Sequence, residues 1–308
     1  MIGRWLTLLA VLAMAGAGNA ATPPPSPATL LARHSPIVVL HPSERFTPVP
    51  VEGFLADSDV KQKQADGSWA AVPGPLPTSG GPWRLDQRLC NVRDGLLATD
   101  CYASAEAAHG AAPTVYGATF RKGRRIALQY WLFYPFDAYS PEVPPNPQFA
   151  QVHEGDWEMV TVILDANGKP LTAGYSRHCG GARRDWAKVE RRGTHPVVYV
   201  ALGSHANYFG PGRFPQDKRC WPAVAISIIE QNGREIADFV ERGPAIRPRV
   251  VTVSASSPAW MAFPGTWGED QIVQIIDQKF TFGAGPTGPA FHGVWRNPVA
   301  VPLAWPKG

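Results

Sequence analysis

Charge is scarce in this chain of 308 residues: Asp, Glu, Lys and Arg together make up 18%, against roughly 25% in an average soluble domain. The 44% of hydrophobic residues excludes a disordered, self-repelling chain, because there is enough apolar surface to build a core. The formal charge of +4 is too mild and too dispersed to make nucleic acid the expected partner. Long apolar runs are missing too. The longest, Trp5 to Ala17, is shorter than the roughly 20 residues a bilayer-spanning helix needs, so no transmembrane segment is expected in the mature chain. Helix caps followed by helical periodicity are rare, and no internal repeat or domain-splitting linker occurs. In their place stand 30 Gly and 32 Pro, a density of breakers that excludes a long helical bundle.

The standard nucleophile and cofactor motifs are also absent. Ser204 sits in Leu-Gly-Ser-His-Ala and Ser176 in Gly-Tyr-Ser-Arg-His, so neither is a nucleophile elbow. His153-Glu154 lacks a histidine four residues after His153, which excludes the HExxH zinc-protease pattern. Phosphate loops and dinucleotide fingerprints do not occur, and no CxxC or CxxH spacing supports a structural zinc.

The N-terminus is informative. Arg4, the apolar run to Ala17 and the small residues up to Ala20 describe a secretory signal peptide over residues 1–20, so the mature protein is expected to be secreted or periplasmic. Residues 21–34 read as a Pro-rich extended leader, with structure beginning near Ser35 and one domain over residues 35–308. Export places Cys90, Cys101, Cys179 and Cys220 in an oxidising compartment as two disulfides. Three connectivities are open, and local pairing favours Cys90 with Cys101 and Cys179 with Cys220.

The strongest strand signal is Arg125 to Tyr134, apolar on both alternating faces and therefore central in a sheet. Pro36 to His41, Trp157 to Leu164, Leu171 to Ser176, Pro196 to Leu202, Val224 to Ile229 and Arg249 to Ser254 are further β-rich runs. Val51 to Asp57 reads as one helical turn and Asp66-Gly67 as a hairpin tip. Short strands between turn residues predict an all-β, single-domain β-sandwich with long loops and a few short helices. The basic stretch Arg177 to Arg192 reads as a solvated loop in preference to an anion site.

The one dense cluster of ligand-type residues is His153-Glu154-Gly155-Asp156-Trp157-Glu158, running into the strand Met159 to Leu164. Period-two alternation puts Asp156 and Glu158 on one face and Trp157, Met159 and Thr161 on the other. Two adjacent carboxylates repel unless they have a counter-ion, a shared proton or a metal. His153, read as part of a Pro-rich loop, is placed to fold over the same face. Asp137 at the end of the central strand, Ser204 and His205 after the strand Pro196 to Leu202, and His178 after Tyr175-Ser176-Arg177 all fall at strand ends. In a sandwich these ends share one rim. Carboxylates with one imidazole suit a divalent cation such as Mg²⁺, Ca²⁺ or Mn²⁺. Structural ion pairs account for the same residues without a metal.

Ser35 to Pro42, His153 to Thr161, Pro196 to Phe209 and Gly285 to Pro289 resemble the vacuolar protein sorting-associated sixty-two family over most of the mature chain. A more distant resemblance is to the necrosis- and ethylene-inducing-like cytolysins. Tyr130 to Asp137 is similar to their Tyr-x-Trp-Tyr-x-Pro-Lys-Asp segment, His153 to Glu158 to their Gly-His-Arg-His-Asp-Trp-Glu heptapeptide, and Gly203 to His205 to their Gly-Thr-His segment. That resemblance implies a β-sandwich whose cation is held by Asp137, His153, Asp156 and Glu158. His205 would hold a water behind the cation, with Ser204 beside it and His178 on the rim. Glu154-Gly155 replaces the internal Arg-His of the heptapeptide, a departure that separates this chain from the cytolysins at the site itself.

These readings lead to a secreted, divalent-cation-dependent binding protein that recognises a glycan or lipid headgroup, with some of its 11 Trp at the rim. The first alternative is a metal-dependent hydrolase with His205 or Glu154 as general base. The second is a structural cell-envelope protein whose cation site is vestigial.

Overall fold

The computed structural model describes residues 25–147, 150–275 and 278–308. The segment read as a signal peptide lies outside them. The central alternating run becomes the strand Arg125–Tyr139, paired antiparallel with Gln151–Asp165 from Arg125 opposite Asp165 to Tyr139 opposite Gln151. On either side the sheet continues through Thr114–Lys122 to Arg249–Thr252, and through Pro170–Arg177 to Gly180–Asp185. Neighbours are antiparallel except Arg249–Thr252, which runs parallel to Thr114–Lys122.

A second sheet is built around Ile37–Val39, parallel to His195–Val200 on one side and antiparallel to Ala245–Ile246 on the other, with Asn207–Tyr208 pairing onto His195–Val200. Its Val38, Val198 and Val200 share one buried cluster with Tyr130, Leu132, Tyr134, Phe136, Val160 and Val162 of the large sheet. The opposite face of the large sheet, with Trp131, Phe133, Trp157 and Met159, is covered by Trp260, Met261, Phe263, Trp267 and Trp295 from the C-terminal segment. Both faces of the central pair are therefore dry, which is why the strand carries no polar alternation. The architecture is all-β and sandwich-like, with short helices at its margins.

Several expectations need correction. Val224 to Ile229 is not a strand but part of the helix Ala223–Gln231, which follows Pro222 and buries Ala225 and Ile229, four residues apart. A short β-branched apolar run carries no periodicity that separates the two states. Order begins before Ser35: Pro27–Arg33 is a helix whose N-cap Ser26 accepts from the Thr29 N–H, with Pro27 in its first turn and Leu30 and Leu31 buried. The basic stretch is not a loop either. It carries the strands Gly180–Asp185 and Arg191–Arg192. His153 lies inside the long strand and not in a Pro-rich loop, and Asp137 lies inside its partner.

Both disulfides form as local pairing favoured, Cys90–Cys101 and Cys179–Cys220. The second spans 41 residues, so in the chain-entropy account replacing both of its cysteines by Ser is expected to cost about 4 kcal/mol. Urea unfolding of the double variant measures this as a lowered midpoint, and the shorter Cys90–Cys101 loop should cost less.

Candidate functional site

The site begins with an interruption in the strongest ladder of the protein. Pro135 has no N–H to give, and the residue it faces across the pair, Gly155, adopts φ +58. A Cβ on Gly155 would lie 2.1 Å from the Trp267 carbonyl oxygen, so the position is closed to other residues by backbone angle and by space. Glu154 and Asp156 flank this point and diverge from it. Gly155→Ala is therefore expected to cost on the order of 3 kcal/mol or more, readable as a fall in melting temperature.

Beyond the interruption, Asp137, Asp156 and Glu158 are each at most 7% exposed. As the alternation predicts, Asp156 and Glu158 share a face, while Trp157 and Met159 sit in the opposite cluster. Asp156 Oδ2 lies 3.0 Å from His205 Nδ1, and Glu44 Oε1 lies 3.5 Å from His205 Nε2. Glu158 accepts from the Ser176 hydroxyl and, at 3.2 Å, from the Asn207 side-chain amide. Asp137 is paired with His153, 3.6 Å away, and His153 Nδ1 is 2.7 Å from the Gly155 carbonyl oxygen.

The electrostatics follow from burial and crowding. Burial, countered in part by His153 and reinforced by Asp156, lifts the Asp137 carboxyl to about 6. Burial and then the same Asp156 push Glu158 well above the usual carboxylate range. Asp156 is thus the shared neighbour of both. His205 lies face to face with Tyr134, ring centroids 3.9 Å apart. Burial alone would strip its proton, but Glu44 and Asp156 outweigh that and hold its pKa at about 10. Glu44 in turn is kept below its ordinary value: burial raises it, while His205 and the Gly203 and Phe46 N–H groups lower it by more.

A second buried carboxylate adjoins this one. Asp238 is fully buried and accepts four hydrogen bonds, from Ser204 Oγ and Gln216 Nε2 on one oxygen and from His178 Nε2 and Tyr208 Oη on the other. These bonds and the His178 charge hold it below its usual value despite burial. His178 is correspondingly raised to about 9: burial works against its proton, and Asp238 outweighs it. His178 also has φ +47, one of two non-Gly residues with positive φ among the described residues, the other being His205 at +52. Positive φ in a non-Gly residue is costly, and such positions cluster at functional sites.

A cleft of about 400 Å³ opens where the strand Pro170–Arg177 ends and its neighbour continues. Trp131, Trp157, Trp305, His292 and His178 line it, and Glu158 and Ser176 stand in its wall. The two candidate general bases do not reach it. His205 is fully buried, with Nδ1 bonded to Asp156 and Nε2 facing Glu44 at 3.5 Å. Glu154 is 1% exposed and accepts from the Tyr102 hydroxyl at 2.6 Å and the Glu269 N–H at 2.9 Å. A base must come within hydrogen-bond reach of the proton it takes, and neither side chain presents a lone pair to the cleft.

Among the described residues no three His, Cys, Asp or Glu side chains are arranged to hold a metal ion, because each acid is turned onto an imidazole, hydroxyl or amide. The donor chemistry nevertheless suits a hard cation. The ionic partners of these acids are histidines and not Lys or Arg, and the Tyr134 hydroxyl and the Asn207 side-chain oxygen are buried without a hydrogen-bond partner. The structure thus brings Asp137, His153, Asp156, Glu158 and His205 together, sets Ser204 and His178 on Asp238, and turns Glu154 away. Sequence reasoning missed Glu44 and Asp238. For Asp238 a signal existed: an acid inside the apolar run Ile236-Ala237-Asp238-Phe239-Val240, where a charge survives only if paired.

The fold and this cluster define an all-β, sandwich-like chain with a buried acid–imidazole network along its central strand pair. The chain belongs to the vacuolar protein sorting-associated protein 62 family, whose model matches residues 22–281. It is 26% identical over 216 residues to the vacuolar protein sorting-associated protein TDA6 of Saccharomyces cerevisiae (strain ATCC 204508 / S288c), covering 57% of this chain and 43% of that protein. The chain therefore spans less than half the length of that curated relative. Among solved structures it is similar to NLPPya in complex with glucosamine, with a TM-score of 0.42 and 14% identity over 91% of this chain and 94% of that one. A structure described as a toxin fold as basis for microbial attack and plant defense gives a TM-score of 0.44 and 15% identity over 92% and 95%. Likenesses this loose carry no argument about the site.

Proposed function

We propose that this protein is an exported binding protein that takes up a divalent cation among Asp137, His153, Asp156 and Glu158 and presents it to a glycan or lipid headgroup in the adjoining cleft. The observation that carries the reading is Glu158, a buried carboxylate in the wall of a cleft lined by three tryptophans. Aromatic faces offer stacking surface to a sugar ring, and a carboxylate-held cation offers a fixed charge to its hydroxyl or phosphate oxygens. The cation would also relieve the crowding that Asp156 imposes on Asp137 and Glu158. Mg²⁺ or Ca²⁺ suits an oxygen-rich set, with Mn²⁺ next. The two disulfides favour an oxidising compartment. No helix of the described residues is long and apolar enough to cross a membrane.

The enclosed positions of His205 and Glu154 favour binding over hydrolysis. Titration calorimetry with hexosamines and neutral hexoses, in Mg²⁺ or Ca²⁺ and again after EDTA, tests the reading. Saccharide heat that vanishes with EDTA and in Glu158→Gln supports it, and saccharide binding indifferent to both would overturn it.

A further inference from the structure

A second cleft, of about 560 Å³, shares His178, Cys179, Gly180 and Trp305 with the first and is walled on its far side by Tyr208, Gln216 and Arg219. Its charge is set by the chain's own cross-link. The Cys179–Cys220 disulfide ties the turn after the strand Pro170–Arg177 to the short helical turn Lys218–Cys220, which puts Arg177 and His178 across the same space from Arg219. Arg177 lies over the Tyr208 ring, 4.6 Å from its centroid, and its Nε is buried with no hydrogen-bond partner. His178 uses Nε2 to reach Asp238, which leaves Nδ1 as its remaining donor.

The acids nearby offset this charge only in part: Asp238 balances His178 and Asp217 balances Arg219, which leaves Arg177 as the surplus cation and Arg219 Nη1 outside its pair. Asp238 is saturated by four donors, and Asp217 is taken up by the Arg219 fork on one edge. Trp305 packs against Gly181 and lines both clefts, so it adds an aromatic wall to a cationic one. Guanidinium groups bind phosphate and carboxylate in fixed geometry, and indole faces take the apolar side of a sugar ring.

We infer that this second cleft is a binding site for an anionic saccharide, a sugar carrying a phosphate or carboxylate, with the anion held by Arg177, His178 and Arg219 and the ring set against Trp305. The site needs no cation and stands or falls independently of the function proposed above. It also reverses the sequence reading of the basic stretch, whose first member, Arg177, faces a cleft instead of open solvent.

The test uses the full chain in EDTA, titrated with glucose 6-phosphate, glucuronate and glucose while tryptophan fluorescence is followed. At least one of the two anionic sugars should bind about tenfold or more tightly than glucose. Arg219→Gln, a change at an exposed side chain that leaves the core intact, should abolish that preference, and Trp305→Ala should weaken binding of the sugar phosphate more than that of inorganic phosphate. Phosphatidylcholine vesicles containing phosphatidylinositol 4-phosphate separate the sources. Capture by wild type and not by Arg219→Gln assigns the site to a lipid headgroup, and binding of glucose 6-phosphate without capture assigns it to a free sugar acid. Equal affinity for glucose and both anionic sugars, an unchanged preference in Arg219→Gln, or binding that appears only when cation is restored would each overturn the inference.

Discussion

A His205→Ala variant is expected to lose about 3 to 5 kcal/mol of stability, the range observed when one partner of a buried ion pair is removed and its neighbour is left uncompensated. The effect is large here because His205 faces two acids. Glu44 and Asp156 stand at 3.5 and 3.0 Å on either side of one fully buried ring, and the ring also stacks on Tyr134. Without the imidazole both carboxylates lose their buried partner. The tyrosine loses a face-to-face partner as well. Denaturant unfolding of wild type and variant measures the difference directly. A loss below about 1 kcal/mol would mean that His205 forms no stabilising ion pair in the native protein, contrary to its raised pKa.

Asp238→Asn is expected to cost a similar amount, about 3 to 5 kcal/mol, for a different reason. The carboxylate accepts from four groups and offers none, whereas an amide turns one of its two atoms into a donor facing donors. It also leaves the His178 charge unbalanced. The His178–Asp238 pair gives this variant a signature in pH. His178 is raised in the folded state to about 9, so the stability it contributes is fully present below its unfolded value near 6.5 and is lost as pH rises through about 9. The stability difference between wild type and Asp238→Asn should therefore narrow across that window. A difference that stays constant from pH 6 to 10 would remove His178 from the account.

How much of this could be read before the structure was known depends on which force set each element. The central strand was legible because burial on both faces leaves a run from Ile126 to Tyr134 that is apolar except for Gln129. Asp156 and Glu158 were legible as a pair because strand alternation is a backbone property that tertiary context seldom changes. The helix Ala223–Gln231 was not legible, since its apolar residues satisfy either period and only packing on Ala225 and Ile229 decides. The helix Thr99–His109 was hidden by the opposite weakness: it buries only Tyr102 and has no side-chain cap.

At the site, what escaped was partnership across long sequence separations. Glu44 meets His205 from just after the strand Ile37–Val39, and Asp238 meets His178 and Ser204 from the short strand Ala237–Val240. No local pattern encodes those meetings. Glu154 illustrates the converse. It belongs to the dense acidic motif, yet Tyr102, from that hidden helix, draws it away from Asp156.

The cation is the centre of the functional reading. The most direct test is metal analysis of the purified protein, paired with calorimetric melting with and without EDTA, for wild type and Glu158→Gln. A cation that binds only the folded state stabilises it by RT ln(1 + [L]/Kd), about 2.7 kcal/mol at a hundredfold excess over Kd. Wild type is therefore expected to carry near-stoichiometric Mg²⁺, Ca²⁺ or Mn²⁺ or to take it up on titration, with a melting temperature that falls in EDTA, while Glu158→Gln shows neither response. Wild-type protein that neither carries nor binds a divalent cation, and melts identically in EDTA and in excess Mg²⁺ or Ca²⁺, would contradict the account.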